Sequence, residues 1–333
     1  MTTTLPPQPP AAQVTSTIGA PTPRRRSTPV MVTAGVLAAV AVPFLADAYT
    51  VSIASTGIVL AVLAMSTQLL TGVAGLPSLG QAAYLGVGAY TAALLTGAGI
   101  TNGPLQLVTA AAAGAAAAAV TAPLLLRTRG VLFLMASFAV AELTRTIATQ
   151  WATVTGGDDG LHTPPVTVWP GAPPLHGDGY TYLYLLGCFL ILAAAVGLLL
   201  RSRLVLTLRA AADHETRLAA LGHHVQRHLL GGFVVAGALA GAGGALLVAA
   251  HGYLSPGDLG LDMSAMALLA AAIGLGTMRG AVAGAALVVA VRDLLGTPTG
   301  GHATALLGLA FLLVAYQPAI TARLTIWKRS RRS

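Results

Sequence analysis

The chain has 333 residues, 55% of them hydrophobic and 8% charged, with a mean hydropathy of +0.77 and a formal net charge of +8. A soluble domain carries roughly 25% charged residues, and 18 Lys and Arg with 10 Asp and Glu cannot clothe a soluble protein of this length. Asp47 is the sole charge between Ser27 and Leu126, which excludes a water-exposed fold and a merely anchored chain and leaves an all-α, polytopic integral membrane protein.

In chain order, residues 1–28 are rich in Thr and Pro without apolar periodicity and read as a disordered tail. Arg24, Arg25 and Arg26 precede an apolar run, and Ala46-Asp47-Ala48 has the small-x-small form of a cleavage site. A signal peptide is therefore the alternative reading of the first span. At about 20 apolar residues per crossing, the membrane domain (residues 29–320) divides into about ten spans. The first two run Pro29–Ala48 and Val51–Thr71. A third follows the break at Gly72, Gly75 and Gly80 and ends near Gly97. Then come Leu105–Leu126, Val131–Trp151, Tyr180–Leu200, Leu229–Ala250, Met263–Met278, Gly280–Leu295 and Ala303–Ile320. A polar, Pro-rich loop fills residues 152–179, a charged segment residues 201–228, and a basic tail residues 321–333.

Basic residues set the orientation. Arg24–Arg26, Arg127 and Arg129, the Arg201–Arg227 segment, Arg279 and the C-terminal cluster all fall on one side, so both termini are expected in the cytoplasm. The 152–179 loop has no Lys or Arg and falls on the other side. The basic excess thus has a membrane explanation, and the Lys328–Arg332 cluster is not read as a nucleic-acid site. Arg292 is the exception, placed to snorkel or to pair with Asp293. Lipid offers no hydrophobic drive for helix association, so small residues must supply close packing. Gly237 with Gly241 and Gly280 with Gly284 have that spacing, as does the Ala-rich fourth span around Gly114.

No catalytic or metal constellation is present. Lys328 is the only lysine, so the chain has no P-loop and binds no nucleotide cofactor of its own. His223 and His224 are adjacent rather than at helical zinc spacing. Gly157-Asp158-Asp159-Gly160 is too short for a calcium loop and reads as a turn. Cys188 stands alone in an apolar span. Glu142 and Arg145 lie at i,i+3 inside the fifth span, and two readings stay open: a self-neutralised structural pair, or a place near a transport path. In the 201–228 segment, Arg209, Asp213 and Arg217 recur every four residues, with Asp213 placed to pair with Arg217. Leu218 and Leu221 form a short apolar stripe, and Gly222 takes a C-cap-like position. Such an amphipathic helix lies on lipid or docks into another protein. Gly and Pro from Gly72 to Gly80 signal a broken helix, tolerated at membrane depth only inside protein or beside a cavity.

The stretch Thr71–Leu95, with Gly-Leu-Pro-Ser-Leu-Gly-Gln-Ala-Ala-Tyr at its centre, resembles the signature of bacterial branched-chain amino acid ABC transporter permeases of the LivM type. Phe138–Arg145, Thr155–Leu161, Arg209–Gly222 with Glu215, Gly252–Pro256 and Gly274–Thr277 resemble further blocks of that family, in order, between Pro43 and Leu295. Gln81 stands where a His is common, Pro77 interrupts the block, and Leu206 replaces a usual Arg. The resemblance implies an ABC importer permease fold in the bacterial plasma (inner) membrane. It also implies a LivH-like second permease, two cytoplasmic ATPases that bind ATP and Mg, and an extracytoplasmic solute-binding protein. Solute would pass by alternating access, with Ser78, Gly80, Gln81, Tyr84, Glu142 and Arg145 as path candidates. Arg209, Asp213, Glu215, Arg217, Leu218, Leu221 and Gly222 would form the ATPase-coupling helix. Related permeases for urea, short amides or other amino acids, and an ATP-independent transporter or channel, are the alternatives.

Overall fold

The computed structural model describes residues 28–168, 173–175, 177–222, 224–274 and 276–294. The N-terminal tail, His223, Leu295, the Ala303–Ile320 span and the C-terminal cluster lie outside them. Two compact units, Met1–Ala39 and Val40–Ser333, divide the chain.

The apolar runs fold as helices because lipid offers no partner for a free backbone amide. They are α1 Thr28–Leu45, α2 Ala48–Gln68, α3 Gln81–Gly97, α4 Gly103–Leu125, α5 Val131–Gln150 and the single turn α6 Ala152–Thr155. Then follow α7 Asp178–Leu199, α8 Arg203–Ala220, α9 Val225–His251, α10 Leu261–Ile273 and α11 Met278–Val289. π turns continue α2 over Leu69–Val73 and α11 over Ala290–Leu294. Among the described residues, α2 with its π turn, α4, α5, α7 and α9 are long and apolar enough to cross a membrane. Of the about ten spans expected from the sequence, five are thus met in length among the described residues, and the tenth lies outside them. α3, α10 and α11 are shorter, at 17, 13 and 12 residues, because Gly- and Pro-containing breaks cut into their apolar runs.

α9 forms the centre of the Val40–Ser333 unit, packed on α3, α4 and α2. Its Gly237, Gly241 and Gly244 let backbones touch. A Cβ on Gly241 would stand 2.3 Å from the Ala110 carbonyl oxygen, and one on Gly244 would stand 2.0 Å from that of Leu85. Gly88 of α3 and Gly114 of α4 face the same glycines. α10 and α11 repeat the device, with Gly284 against the Ala270 carbonyl. The helices differ in how far this core covers them: 72% of α9's most apolar window is buried, against 22% for α4 and for α5.

One end of the unit is tied by a short antiparallel pairing of β1 Leu161–His162 with β2 Tyr253–Leu254. Gly156, Gly157 and Gly160 have positive φ, so the Asp158–Asp159 turn folds back under them. Tyr253 Oη donates to the Asp159 carbonyl. Two of the blocks singled out in the sequence, Thr155–Leu161 and Gly252–Pro256, therefore meet in space.

Candidate functional site

The α2 helix does not end cleanly. Gln68 folds its amide over Gly72, where a Cβ would displace it, and a π turn runs through the same residues, Leu69–Val73. Gly75 then takes φ 70°, Pro77 forbids helix, and the chain stays irregular until Gly80. Buried hydroxyls satisfy this stretch. Leu79 N donates to Ser137 Oγ at 3.0 Å, Gly80 N to Ser78 Oγ at 3.1 Å, and Ala82 N to Ser264 Oγ at 3.2 Å. A Cβ on Gly80 would press on the Ser137 carbonyl oxygen at 2.8 Å. The start of α3, with its positive dipole end and amide donors taken up by hydroxyls, is thus sunk among α5, α10 and α2.

Gln81, 1% exposed, opens α3. Ser66 Oγ lies 2.8 Å from Gln81 Oε1 and 2.7 Å from the Ala236 carbonyl oxygen, yet has one proton for both. Gln81 Nε2 has no partner at all. Turning the amide over would give Ser66 a donor and leave Oε1 open instead, so one amide atom stays uncompleted in either orientation. Gln68 Nε2 and Thr71 Oγ1 are also buried without partners. An unsatisfied buried group of this kind costs about 1–3 kcal/mol. Tyr84, a turn further on, hydrogen-bonds Thr121 at 2.7 Å and meets the ring of Phe233 edge-on at 5.6 Å.

α8 lies directly beneath this break. Leu208 fills the space left by Gly232, and Ala212 comes within 3.1 Å of where a Cβ on Gly75 would stand. Arg129, in the α4–α5 turn, clamps Glu215 with two bonds, Nε to Oε2 at 3.1 Å and Nη2 to Oε1 at 2.8 Å. The Arg129 guanidinium holds the Glu215 carboxyl below its usual range, outweighing partial burial.

Two details of α8 differ from the sequence expectation. His214 has φ −154° and ψ 89°, so the helix is kinked there. Asp213 and Arg217 fall on opposite sides of the kink and form no ion pair, because the i,i+4 geometry needs a continuous turn. Leu218 is buried, but Leu221 is 77% exposed, since it lies at the helix end and not on the packed face. Gly222 has φ +84° and follows that end. Arg209 and Arg217 are exposed.

The path candidates thus separate into two groups. Ser78, Gly80 and Gln81 come together at the start of α3, with Tyr84 one turn on. Glu142 and Arg145 pair with each other on α5, Arg145 Nε to Glu142 Oε2 at 2.9 Å, and no hydrogen bond or ion pair joins them to Gln81. Sequence reasoning missed Ser66, Ser137, Ser264 and Thr121, the hydroxyls that complete the α3 start. Their signal was available as isolated Ser and Thr in apolar helices, which seek hydrogen bonds across helices. It also missed the clamp of Arg129 on Glu215. At the opposite end, a cavity of about 210 Å³ opens among Ser52, Ser55, Thr181, Tyr184 and His251, where α2, α7 and α9 end or begin.

Residues 49–316 match the family described as branched-chain amino acid transport system / permease component. The chain belongs to that family. It is 27% identical over 307 residues to the high-affinity branched-chain amino acid transport system permease protein LivM of Escherichia coli (strain K12), covering 84% of this chain and 71% of that protein. It is 28% identical over 308 residues to the LivM protein of Salmonella typhimurium, with the same coverage. No solved structure matches the chain. The broken α2–α3 segment and the five apolar helices are thus those of a multi-pass membrane permease, and the relatives are transport proteins rather than enzymes.

Proposed function

We propose that the chain is the permease subunit of an ABC importer for branched-chain amino acids or similar small solutes. It works by alternating access in a bacterial plasma membrane, with about ten crossings and both termini inside. A second, LivH-like permease completes the path, an extracytoplasmic binding protein delivers the solute, and two separate ATPases bind ATP and Mg. The observation that carries this reading is the buried, partly uncompleted polar start of α3, reached by a break that approaches α8 at Gly75–Ala212. Uncompleted buried groups are stabilised when a polar solute passes, and helix ends at membrane depth suit that role. α8 is the coupling helix: its exposed Arg209, Asp213 and Arg217 meet the ATPases, its Ala212 bears on the break at Gly75, and its Leu208 seats it on Gly232 of α9. Energy supplied outside this chain accords with a sequence that has no P-loop.

Solute specificity has a second reading. The side chains bonded to the α3 start, Ser66, Gln81, Ser137 and Ser264, include no ionised group. A neutral hydrogen-bonding solute such as urea or a short amide suits that lining. Uptake of labelled leucine in cells expressing the whole transporter, with urea and acetamide as competitors, separates the two. Leucine uptake that Gln81→Leu lowers at least tenfold, without loss of protein, supports the proposal. Transport by the purified chain alone in liposomes without ATP overturns it.

A further inference from the structure

The outward face of α5 differs from those of α4 and α7, the other long helices whose apolar sides are mostly open. α5 buries a single stripe, Phe133, Ser137, Ala141 and Ala148, toward the core. Its other sides are open: Met135 is 56% exposed, Leu143 60% and Ile147 47%. On lipid-facing helices that is ordinary, and α4 and α7 show the same. But α4 has no charged residue, and α7 has only Asp178, in its first turn. α5 carries Glu142 and Arg145 among its open apolar residues, with side chains 32% and 42% exposed.

Depth makes that exposure costly. Glu142 lies about 16 Å along α5 from Val131 at 1.5 Å per residue, near the middle of a hydrocarbon layer about 30 Å thick. Arg145 is nearer an end and has the length to reach for it. Instead its guanidinium turns back toward mid-helix and bonds Glu142. Neutralisation is incomplete as well. Arg145 spends only Nε on Glu142, and the rest of its fork has no partner among the described residues. Glu142 Oε1 likewise lacks a donor. Bare guanidinium donors facing lipid are among the least favourable arrangements a span can adopt.

We infer that the open face of α5 is the seam with a second polytopic permease chain, which brings hydrogen-bond acceptors to Arg145 at the depth of Glu142. The inference rests on the permease reading above and names the face that reading leaves unspecified. The partner is a membrane chain, because the flanking positions Met135, Leu143 and Ile147 are apolar and only the centre is charged. It carries carbonyl or carboxylate oxygens opposite the guanidinium and a hydrogen-bond donor opposite Glu142 Oε1, because α5 leaves both sides of the pair incomplete. The solute path then runs along this seam, with the ion pair beside it and the α3 start behind it, joined through Ser137 on the inner stripe of the same helix.

The test uses the assembled transporter in membranes, with p-benzoylphenylalanine at Leu143, at Val120 on α4, or at Leu198 on α7. All three positions are exposed, and none is a member of the ion pair. Irradiated adducts are identified by peptide mass spectrometry. At least fivefold more adduct with a second permease chain at Leu143 than at Val120 or Leu198 is the expected result. Suppose a second permease co-purifies, yet adducts form at Val120 or Leu198 and not at Leu143. The seam is then elsewhere, and the importer reading stands. The same holds if Leu143 joins only residues 295–333 of its own chain. If no second membrane chain co-purifies, both the seam and the importer reading fall.

Discussion

The α3–α4–α9 seam and the α2–α3 break lie side by side and are built on opposite principles. In the seam, glycine meets glycine or carbonyl, with backbones so close that no side chain fits between them. Dispersion at short range is large only when nothing moves, so this part is a rigid body. In the break, the backbone is irregular, hydroxyls stand in for helical hydrogen bonds, and three buried polar atoms are left open. A π turn over Leu69–Val73 and the positive φ of Gly75 mark it as the less regular of the two regions. α8 sits on the break and on the early turns of α9, not on the glycine crossings. Under the proposed coupling role of α8, motion entering there would meet the irregular segment before the glycine crossings.

The largest effect is expected from breaking the rigid side. Gly244→Val places a side chain where the Leu85 carbonyl and the Ala89 amide already stand. Both contacts are backbone, so neither can rotate away, and α3 and α9 must separate. A destabilisation of about 3 kcal/mol or more is expected, seen as loss of a monodisperse peak in detergent. A normal melting curve for this variant would show that the seam is loose. Gly75→Val, on the irregular side, is expected to leave the fold intact but strained, by about 1–2 kcal/mol, and to lower ATP-driven uptake more than it lowers yield.

Next comes the clamp. Arg129→Ala removes both bonds to Glu215 and frees the second half of α8 beyond the His214 kink. Because both side chains are partly exposed, little stability is expected to change. Uptake is expected to fall roughly tenfold, because a hinged lever no longer transmits force; ATPase activity in the complex is the control that should persist. The pH dependence has a definite sign. Glu215 has a depressed folded-state pKa, so the bridge is fully present above the ordinary glutamate range and is lost as pH falls through the depressed value. Uptake should show no loss from this group between pH 6 and 8. A fall beginning near pH 7 that Glu215→Gln abolishes would contradict the bridge.

Ser264→Ala is a smaller change in the same place. It removes the hydroxyl that accepts from Ala82 N. About 1 kcal/mol is expected, as for other helix-start hydroxyls, read as a modest drop in melting temperature.

The contrast between the two regions also explains what could be read in advance. Glycine at fixed spacing is written locally, so the α9 seam at Gly237 and Gly241 was legible, and so was the break at Gly72–Gly80. The spans α2, α4, α5, α7 and α9 followed from apolar length alone. What escaped were relations across sequence distance. Arg129 and Glu215 are 86 residues apart, and Ala82 and Ser264 are 182 apart. Neither serines in apolar helices nor an arginine in a turn names its partner. The kink at His214 escaped for another reason. Arg209, Asp213 and Arg217 have good helical periodicity, and nothing in their spacing records the break at His214 or the Arg129–Glu215 bonds beside it.

That kink supports the smallest and most exact prediction. In a straight helix, Asp213 and Arg217 would couple by about 0.3–0.5 kcal/mol. With His214 at φ −154° the turn between them is broken, and each side chain points to solvent alone. A double-mutant cycle of Asp213→Asn and Arg217→Gln is therefore expected to be additive in thermal stability, with coupling below about 0.2 kcal/mol. The same cycle in the Arg129→Ala background tests cause against coincidence. If the clamp on Glu215 is what bends α8, releasing it lets the helix straighten, and the Asp213–Arg217 coupling should appear. Coupling already present in the wild type would mean that the lever is straight and that the clamp leaves its shape alone.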